Sequence, residues 1–238
     1  MVLTDKININ NRLITALAFM EHCKCMADIG SDHGYSSIYA IKENISDCVI
    51  ATDISAPSLA KTERLVKKFC LQDKIECRCG NGLSVLKKNE ANAAFIAGMG
   101  ADLIADIIEQ SEDVAKSFDY MVLQPMNSAI PLRKRIIEME YKIIDEGIVI
   151  DNGKFYQIIK CTAGHQKNVT QEQIELGFFV YNKHIPFCKE YIEHMIKHYE
   201  DILFYVGSNR TDSASSKITE ANEKIRLYKE ALKWAVQQ

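Results

Sequence analysis

Three glycine-bearing turns, one Gln-Pro turn and one carboxylate carry the chemistry that can be read from this sequence. The segment Asp28-Ile29-Gly30-Ser31-Asp32-His33-Gly34-Tyr35 follows a short apolar run. Glycines placed after a strand let backbone amides approach a ligand and start the next helix. Asp32 holds the place of the second glycine of a dinucleotide fingerprint, and no phosphate-gripping lysine follows. Asp28 and Asp32 repel phosphate and favour a ligand with positive charge or hydroxyl groups. Asp53 closes Ala51-Thr52-Asp53, a position from which a carboxylate accepts hydrogen bonds from both hydroxyls of a ribose. Gly80-Asn81-Gly82 and Ala97-Gly98-Met99-Gly100 end two further apolar runs, where glycine lets a flat base come close to backbone. Gln124-Pro125-Met126-Asn127 ends the next one. The implied ligand is a nucleoside without phosphate.

The elements that must hold these turns follow from periodicity. Strand-like runs cover 26–29, 49–52, 75–79, 95–97, 120–123, 143–150 and 155–161, and amphipathic stretches such as 57–69 and 102–110 have helical spacing. Alternation of the two implies a parallel sheet with helices on both faces. The last two runs are separated only by Asp151-Asn152-Gly153-Lys154, and Asn-Gly predicts a tight antiparallel hairpin. The expected fold class is therefore α/β, a mostly parallel seven-stranded sheet with a terminal β-hairpin. Ligands in such sheets bind outside the carboxyl ends of the strands, so all four turns face one cleft.

Beyond Gly164 the pattern changes to heptads. Cys188, Ile192, Met195, Tyr199, Ile202 and Val206 form one apolar seam, and Ile218, Ala221, Ile225, Tyr228, Leu232 and Ala235 form a second. Their spacing averages 3.5 residues, which predicts a coiled-coil-like helical hairpin, within one chain or paired between chains. Pro186 suits the first turn of the first helix, Gly207 its C-cap, and Asp212 or Ser213 the N-cap of the second. The expected division is a ligand-binding domain over 1–164 and a helical domain over 165–238.

Composition limits the rest. Of 238 residues, 47% are hydrophobic and 26% charged, with net charge −3, which excludes a disordered tail, a fibre and a globally basic nucleic-acid binder. There is no apolar run of membrane-spanning length and no basic-then-apolar leader, so a membrane partner is not expected. Eight cysteines without an export signal read as reduced thiols of a cytoplasmic protein. Cys23-x-Cys25 and Cys77-x-Cys79 are too closely spaced for a structural zinc site, so no metal is expected. From Gln166 onward the chain carries ten basic and ten acidic residues, so nucleic-acid contact must come from local groups. Arg133-Lys134-Arg135, just past the Gln-Pro turn, is the best phosphate-contact candidate.

An Asp-x-Gly turn followed by a ribose carboxylate is shared with S-adenosylmethionine-dependent methyltransferases, whose cofactor carries a sulfonium and an ammonium but no phosphate. More specifically, the 28–35 turn, Ala51-Thr52-Asp53-Ile54, Gly80-Asn81-Gly82-Leu83, Ile96-Ala97-Gly98-Met99-Gly100, Leu123-Gln124-Pro125 and the earlier Asn11-Arg12-Leu13 together resemble the bacterial tRNA (adenine-22-N1)-methyltransferases. The resemblance runs from about Asn11 to the end. It implies a Rossmann-like class I methyltransferase fold, S-adenosyl-L-methionine as cofactor with S-adenosylhomocysteine as product, and tRNA as substrate. The alternative is a methyltransferase acting on another RNA, a protein or a small molecule. Cofactor binding would fall to Asp28, Gly30, Ser31, Asp32, Gly34, Asp53, Ile54, Gly80, Asn81, Gly82, Gly98, Met99 and Gly100. His33, Gln124 and Asn127 would hold the target base, with Tyr35 or Met99 stacked on it; His33 could equally brace its turn, and Gln124 and Asn127 cap a helix. Arg12, Arg133, Lys134, Arg135, Lys189 and Lys197 would contact tRNA, the helical domain assisting, in a monomer or weak dimer. Two positions depart from the family pattern: Asn81 stands for an aspartate and Ala101 for a glycine.

Overall fold

The computed structural model describes residues 7–180, 184–208 and 214–235. Seven strands form one sheet: β1 (Cys23–Ile29), β2 (Ser46–Asp53), β3 (Ile75–Cys79), β4 (Ala93–Met99), β5 (Tyr120–Pro125), β6 (Tyr141–Asp151) and β7 (Lys154–Ala163). Their order is β3-β2-β1-β4-β5-β7-β6. The first five pair in parallel, and β7 runs antiparallel to β5. All of β5 and nearly all of β1 are buried, as expected of parallel strands covered on both faces. Asn152 at φ 49° and Gly153 at φ 74° make the tight turn between β6 and β7.

Strands β1 and β2 each begin three residues before their β-rich runs. Cys23 pairs with Ser46 and Cys25 with Cys48, so ladder hydrogen bonds extend both strands through polar residues of low strand propensity.

Helices cover the sheet: α1 (Asn11–Leu17), α2 (Tyr35–Lys42), α3 (Ala56–Lys68), α4 (Ala101–Gln110), α5 (Glu112–Ala115) and α6 (Ile130–Glu138). Asn10 caps α1 by accepting from the Leu13 amide, and Ser55 caps α3 by accepting from the Ser58 amide. Both caps fix how a helix leaves the carboxyl edge of the sheet.

The chain separates into two compact units, Met1–Asp145 with Val149–Asn168, and Glu146–Ile148 with Val169–Gln238. The second contains α7 (Gln171–Leu176), opened by a reciprocal capping box of Thr170 and Gln173, and the helical pair α8 (Cys188–Ser208) and α9 (Ala214–Ala235). Only five residues separate α8 from α9, too short a reach for anything but an antiparallel pair. Cys188, Ile192, Ala221, Ile225 and Tyr228 of the two seams are buried between them. Glu175 of α7, fully buried, accepts from Lys224 Nζ and lies at hydrogen-bond distance from the hydroxyls of Tyr199 and Tyr228, tying α7 to both long helices.

Two cap expectations are corrected. Helix α8 begins two residues after Pro186, past Phe187 at φ 62°, and it continues through Gly207 to Ser208. The expected caps Asp212 and Ser213 lie outside the described residues.

Candidate cofactor and base cleft

A cavity of about 310 Å³ opens at the carboxyl ends of β1 and β4. Its walls are α1 (Asn10, Arg12, Leu13), the turn after β1 (from Asp28 to Ser36) and the end of β4 (Phe95, Ala97, Gly98). The turn is anchored to β2: the amides of Gly30 and Ser31 both donate to the Thr52 carbonyl, at 2.8 and 2.9 Å. Left-handed conformations at Gly30 (φ 72°), His33 (φ 65°) and Gly34 (φ 71°) fold it back on itself. A Cβ on Gly30 would lie 2.0 Å from Met99 Cε, and one on Gly34 2.6 Å from Thr62 Cγ2. These glycines therefore admit Met99 above the turn and α3 beside it.

Asp28 is buried. Ser36 and Ser37 donate their hydroxyls to its Oδ2 at 2.6 and 2.5 Å. Burial pushes its carboxyl above the usual carboxylate range, the two serine hydrogen bonds act against that, and the nearby Asp53 charge adds to it. Asp53 is also buried, with Oδ1 accepting from the Ser55 amide at 2.8 Å. Ile54 beside it is 71% exposed, an apolar surface next to the ribose acid.

Gly80 and Gly82 let Val85 and Ile107 close in: Cβ atoms there would lie 2.0 and 2.8 Å from those side chains. The intervening Asn81 has an exposed side chain, and its carbonyl accepts from the amide and hydroxyl of Ser84. At Gly98 (φ 81°) the nearest atoms to a Cβ are those of the Arg12 guanidinium, 3.8 and 3.9 Å away. Gly100 is the N-cap of α4, and Ala101 enters that helix with its methyl buried and without a left-handed φ. Alanine in place of the family glycine therefore imposes no strain there.

Four of the expected base- and RNA-contacting residues, Gln124, Arg12, Arg133 and Arg135, are buried or engaged within the protein. Gln124 is 0% exposed: its Oε1 accepts from Arg12 Nη1 and from the Gly98 amide, and its Nε2 donates to the Pro125 carbonyl. Both ends of the amide are engaged by protein groups. Arg12, 9% exposed, lies with its guanidinium 5.5 Å from the Tyr156 ring centre and lines the cavity instead of the outer surface. Arg133 is 1% exposed. Helical phase turns it inward with Leu132 and Ile136, so it is no phosphate contact. Arg135 forms ion pairs with Asp106 and Glu109 of α4, which neutralise its charge locally. Lys134, Lys189 and Lys197 stay exposed; among the described residues Lys134 and Lys189 have distant i,i+4 partners, at 4.0 Å.

His33 and Asn127 keep free faces. The His33 ring stacks on Tyr35 at 5.6 Å and 14° and borders the cavity, with Lys61 Nζ 3.5 Å from Nε2. Asn127, an exposed residue, accepts from the Ala101 amide at 2.8 Å, capping α4 rather than the helix that follows it. Sequence reasoning missed Leu13, Phe95 and Tyr156. Phe95 and Ala97 share a face of β4, so strand alternation would have found them; Tyr156 had no local signal.

The cavity suits the cofactor implied by the resemblance. Ser31 Oγ, 3% exposed and on the cavity wall, has no hydrogen-bond partner among the described residues, and a ligand in the cavity would supply one. Among the described residues no group of three His, Cys, Asp or Glu side chains is arranged to hold a metal ion.

Comparison with known proteins points the same way. The model of the tRNA (adenine(22)-N(1))-methyltransferase family, TrmK, matches residues 26–230. The tRNA (adenine(22)-N(1))-methyltransferase of Bacillus subtilis strain 168 is 30% identical over 236 residues, covering 96% of this chain and 98% of that protein. The crystal structure of the B. subtilis enzyme superposes with a TM-score of 0.84 at 29% identity, over 95% of this chain and 100% of the other. Sp1610 of Streptococcus pneumoniae, named for the same activity and solved in complex with S-adenosyl-L-methionine, superposes with a TM-score of 0.82 at 26% identity, over 94% and 99% of the two chains.

Proposed function

The chain belongs to the tRNA (adenine(22)-N(1))-methyltransferase family, and from that premise we propose how its cleft performs the reaction. The protein methylates N1 of adenine 22 in tRNA, using S-adenosyl-L-methionine. The cofactor supplies an electrophilic methyl group on a sulfonium.

Adenine N1 carries an in-plane lone pair and is unprotonated at neutral pH, so no base is needed to activate it. The protein's work is to orient N1, exclude water and accommodate the positive charge that appears on the ring. An N1 that is paired or stacked cannot react, so the base must be turned out into the cleft. We assign the His33 ring and the Asn127 amide nitrogen to the base, with Tyr35 as its stacking platform. What supports this is the place of His33 and Tyr35 on the cavity wall and of Asn127 just past the carboxyl end of β5, where it caps α4. The glycine turn with Asp28, Asp32 and Ser31, together with Met99, is assigned to the methionine end. Asp53 is assigned to the ribose, and Ile54 with Gly80, Asn81 and Gly82 to the adenine of the cofactor. Exposed Lys134, Lys189 and Lys197 are assigned to tRNA phosphates, the helical unit assisting the sheet unit. The cytoplasm, where tRNA is met, is the assigned workplace, and a monomer or weak dimer suffices because one chain furnishes every cavity residue.

The observation that carries the reading is a cavity lined by Asp28 and Asp32 that holds a buried hydroxyl without a partner among the described residues. Incubation of purified protein with unmodified tRNA and cofactor, followed by mass-spectrometric mapping, should give 1-methyladenosine at position 22. Methylation elsewhere, or of no nucleotide, would overturn it.

A further inference from the structure

Helix α3 carries a basic row that plays no part in lining the cavity. Its buried residues Leu59, Thr62 and Val66 set its rotation, with Thr62 seated against Gly34 of the turn. At 3.6 residues per turn, the exposed Lys61, Arg64 and Lys68 then fall within about 60° of one another on the outer face. Lys67 flanks the row, and Glu63, the one acidic residue of α3, lies off it by about 100° or more. Four cations against one carboxylate make this face positive in a chain of net charge −3. Lys42 of α2 extends it: its Nζ lies 4.0 Å from the Phe69 ring centre, and Lys68 Nζ lies 5.9 Å from the same point. Among the described residues no carboxylate lies within ion-pair distance of Lys61, Arg64 or Lys67. Lys67 and Lys68 answer the dipole at the C-terminus of α3, but Lys61 and Arg64 stand too early in the helix for that.

The row meets the cleft at Lys61. Its Nζ is 3.5 Å from Nε2 of His33, a cavity-wall residue, and Asp32 Oδ1 is 3.7 Å from the same nitrogen. His33 therefore stands on a border, with a wall bearing Asp28 and Asp32 on one side and the cations of α3 on the other. A nucleotide divides in the same way. Its base is uncharged, while its phosphates are repelled by the aspartates and attracted by α3.

Resting on the reading that the substrate is tRNA, we propose that the outer face of α3 is a track for its backbone, with Lys61 holding a phosphate next to the adenosine turned out into the cleft. Arg64 and Lys68 hold phosphates further along. Lys61 is then a positioning residue, which fixes where the base enters beside His33 without touching it, whereas Arg64 and Lys68 add affinity alone.

Binding and single-turnover methylation of unmodified tRNA by the full chain test this. Replacing Lys61, Arg64 and Lys68 together by Gln should weaken tRNA binding on the order of 10- to 100-fold at about 0.1 M salt and lower the slope of log K against log salt by about 2–3. S-adenosyl-L-methionine affinity should stay within about 2-fold, because no cavity residue is altered. Removing the same charge near the amino ends of β1, β3 and β4, by Lys24→Gln, Lys74→Gln and Lys88→Gln, should change tRNA affinity by less than about 3-fold. Lys61→Gln alone should lower kcat by about 10-fold, with recovery in Lys61→Arg, while Arg64→Gln raises KM and leaves kcat unchanged. Unchanged tRNA affinity and salt slope in the triple α3 variant would overturn the proposal and leave this face to an acidic protein partner. Equal losses in the two triple variants, or a parallel loss of cofactor affinity, would overturn it as well. Failure of the unaltered protein to methylate tRNA would overturn the functional reading instead.

Discussion

Gly34→Ala should damage the protein far more than its one added methyl suggests. Gly34 sits at φ 71°, where a Cβ is strained by about 1–2 kcal/mol. That Cβ would meet Thr62 Cγ2 at 2.6 Å, Thr62 Cβ at 3.3 Å and Thr62 Cα at 3.4 Å. Thr62 is β-branched, fully buried and inside α3, so relief requires the helix to shift, at about 1–3 kcal/mol for overpacking. The stiffer unfolded chain returns about 0.4–1 kcal/mol. The net loss is about 2–4 kcal/mol, or roughly 5–15 °C in melting temperature for a unit of this size. Gly153→Ala is the control, with φ 74° and nothing within 4 Å of its Cβ. It should lose only the strain, about 1 kcal/mol or less after the same return. Thr62→Ser deletes the offending Cγ2. By itself it should destabilise through a small cavity, but added to Gly34→Ala it should stabilise. Urea unfolding of the unaltered protein, the three single variants and the double variant measures this. If Thr62→Ser costs the same with Gly34 or Ala at that position, or if the two glycine variants are equally stable, the reasoning fails.

Further expectations follow from other contacts. Asp53→Ala should weaken cofactor binding by about 2–4 kcal/mol, because two ribose hydroxyls lose their acceptor; unchanged affinity in a calorimetric titration would remove the assignment. Hydrogen bonds from Arg78 hold the Glu90 carboxyl down to about 2, against 4.5 for a free side chain. Its contribution is therefore complete above about 4.5 and lost as the pH falls from there towards 2, so Arg78→Met should flatten the pH dependence of stability in that window. Lys224→Met leaves Glu175 buried without its cation and should cost the helical unit about 3 kcal/mol, seen as earlier exchange of α7 and α9 amides. Replacing Lys189 and Lys197 by Gln should lower tRNA affinity and reduce its salt dependence, with cofactor affinity unmoved in the same preparation.

The strand ends carrying the turns were legible because buried parallel strands leave short apolar runs with punctuating glycines. The β6–β7 turn was legible through Asn-Gly. Helix α7 had a readable signature, Thr170 followed by Gln173, that passed unused beside the heptads. Arg12 illustrates what no local pattern could give. Its partners Gln124 and Tyr156 are remote in sequence, so a residue that looked like a surface cation became part of a cavity wall. Arg133 failed for a different reason: within Arg-Lys-Arg, only the helical phase set by Leu132 and Ile136 decides which member faces inward. Asn127 was recognised as a possible cap, but the helix it caps precedes it in the chain.

The bracket from Arg12 through Gln124 to Tyr156 also bears on how the protein comes into being at the ribosome. Loop closure over such separations is slow and comes late, after more local contacts have formed. The first strand emerges early yet lies between β2 and β4, and its cavity wall gains its last support only when residue 156 has left the exit tunnel. A nascent chain stalled after β5 would hold every glycine turn and still lack a settled guanidinium.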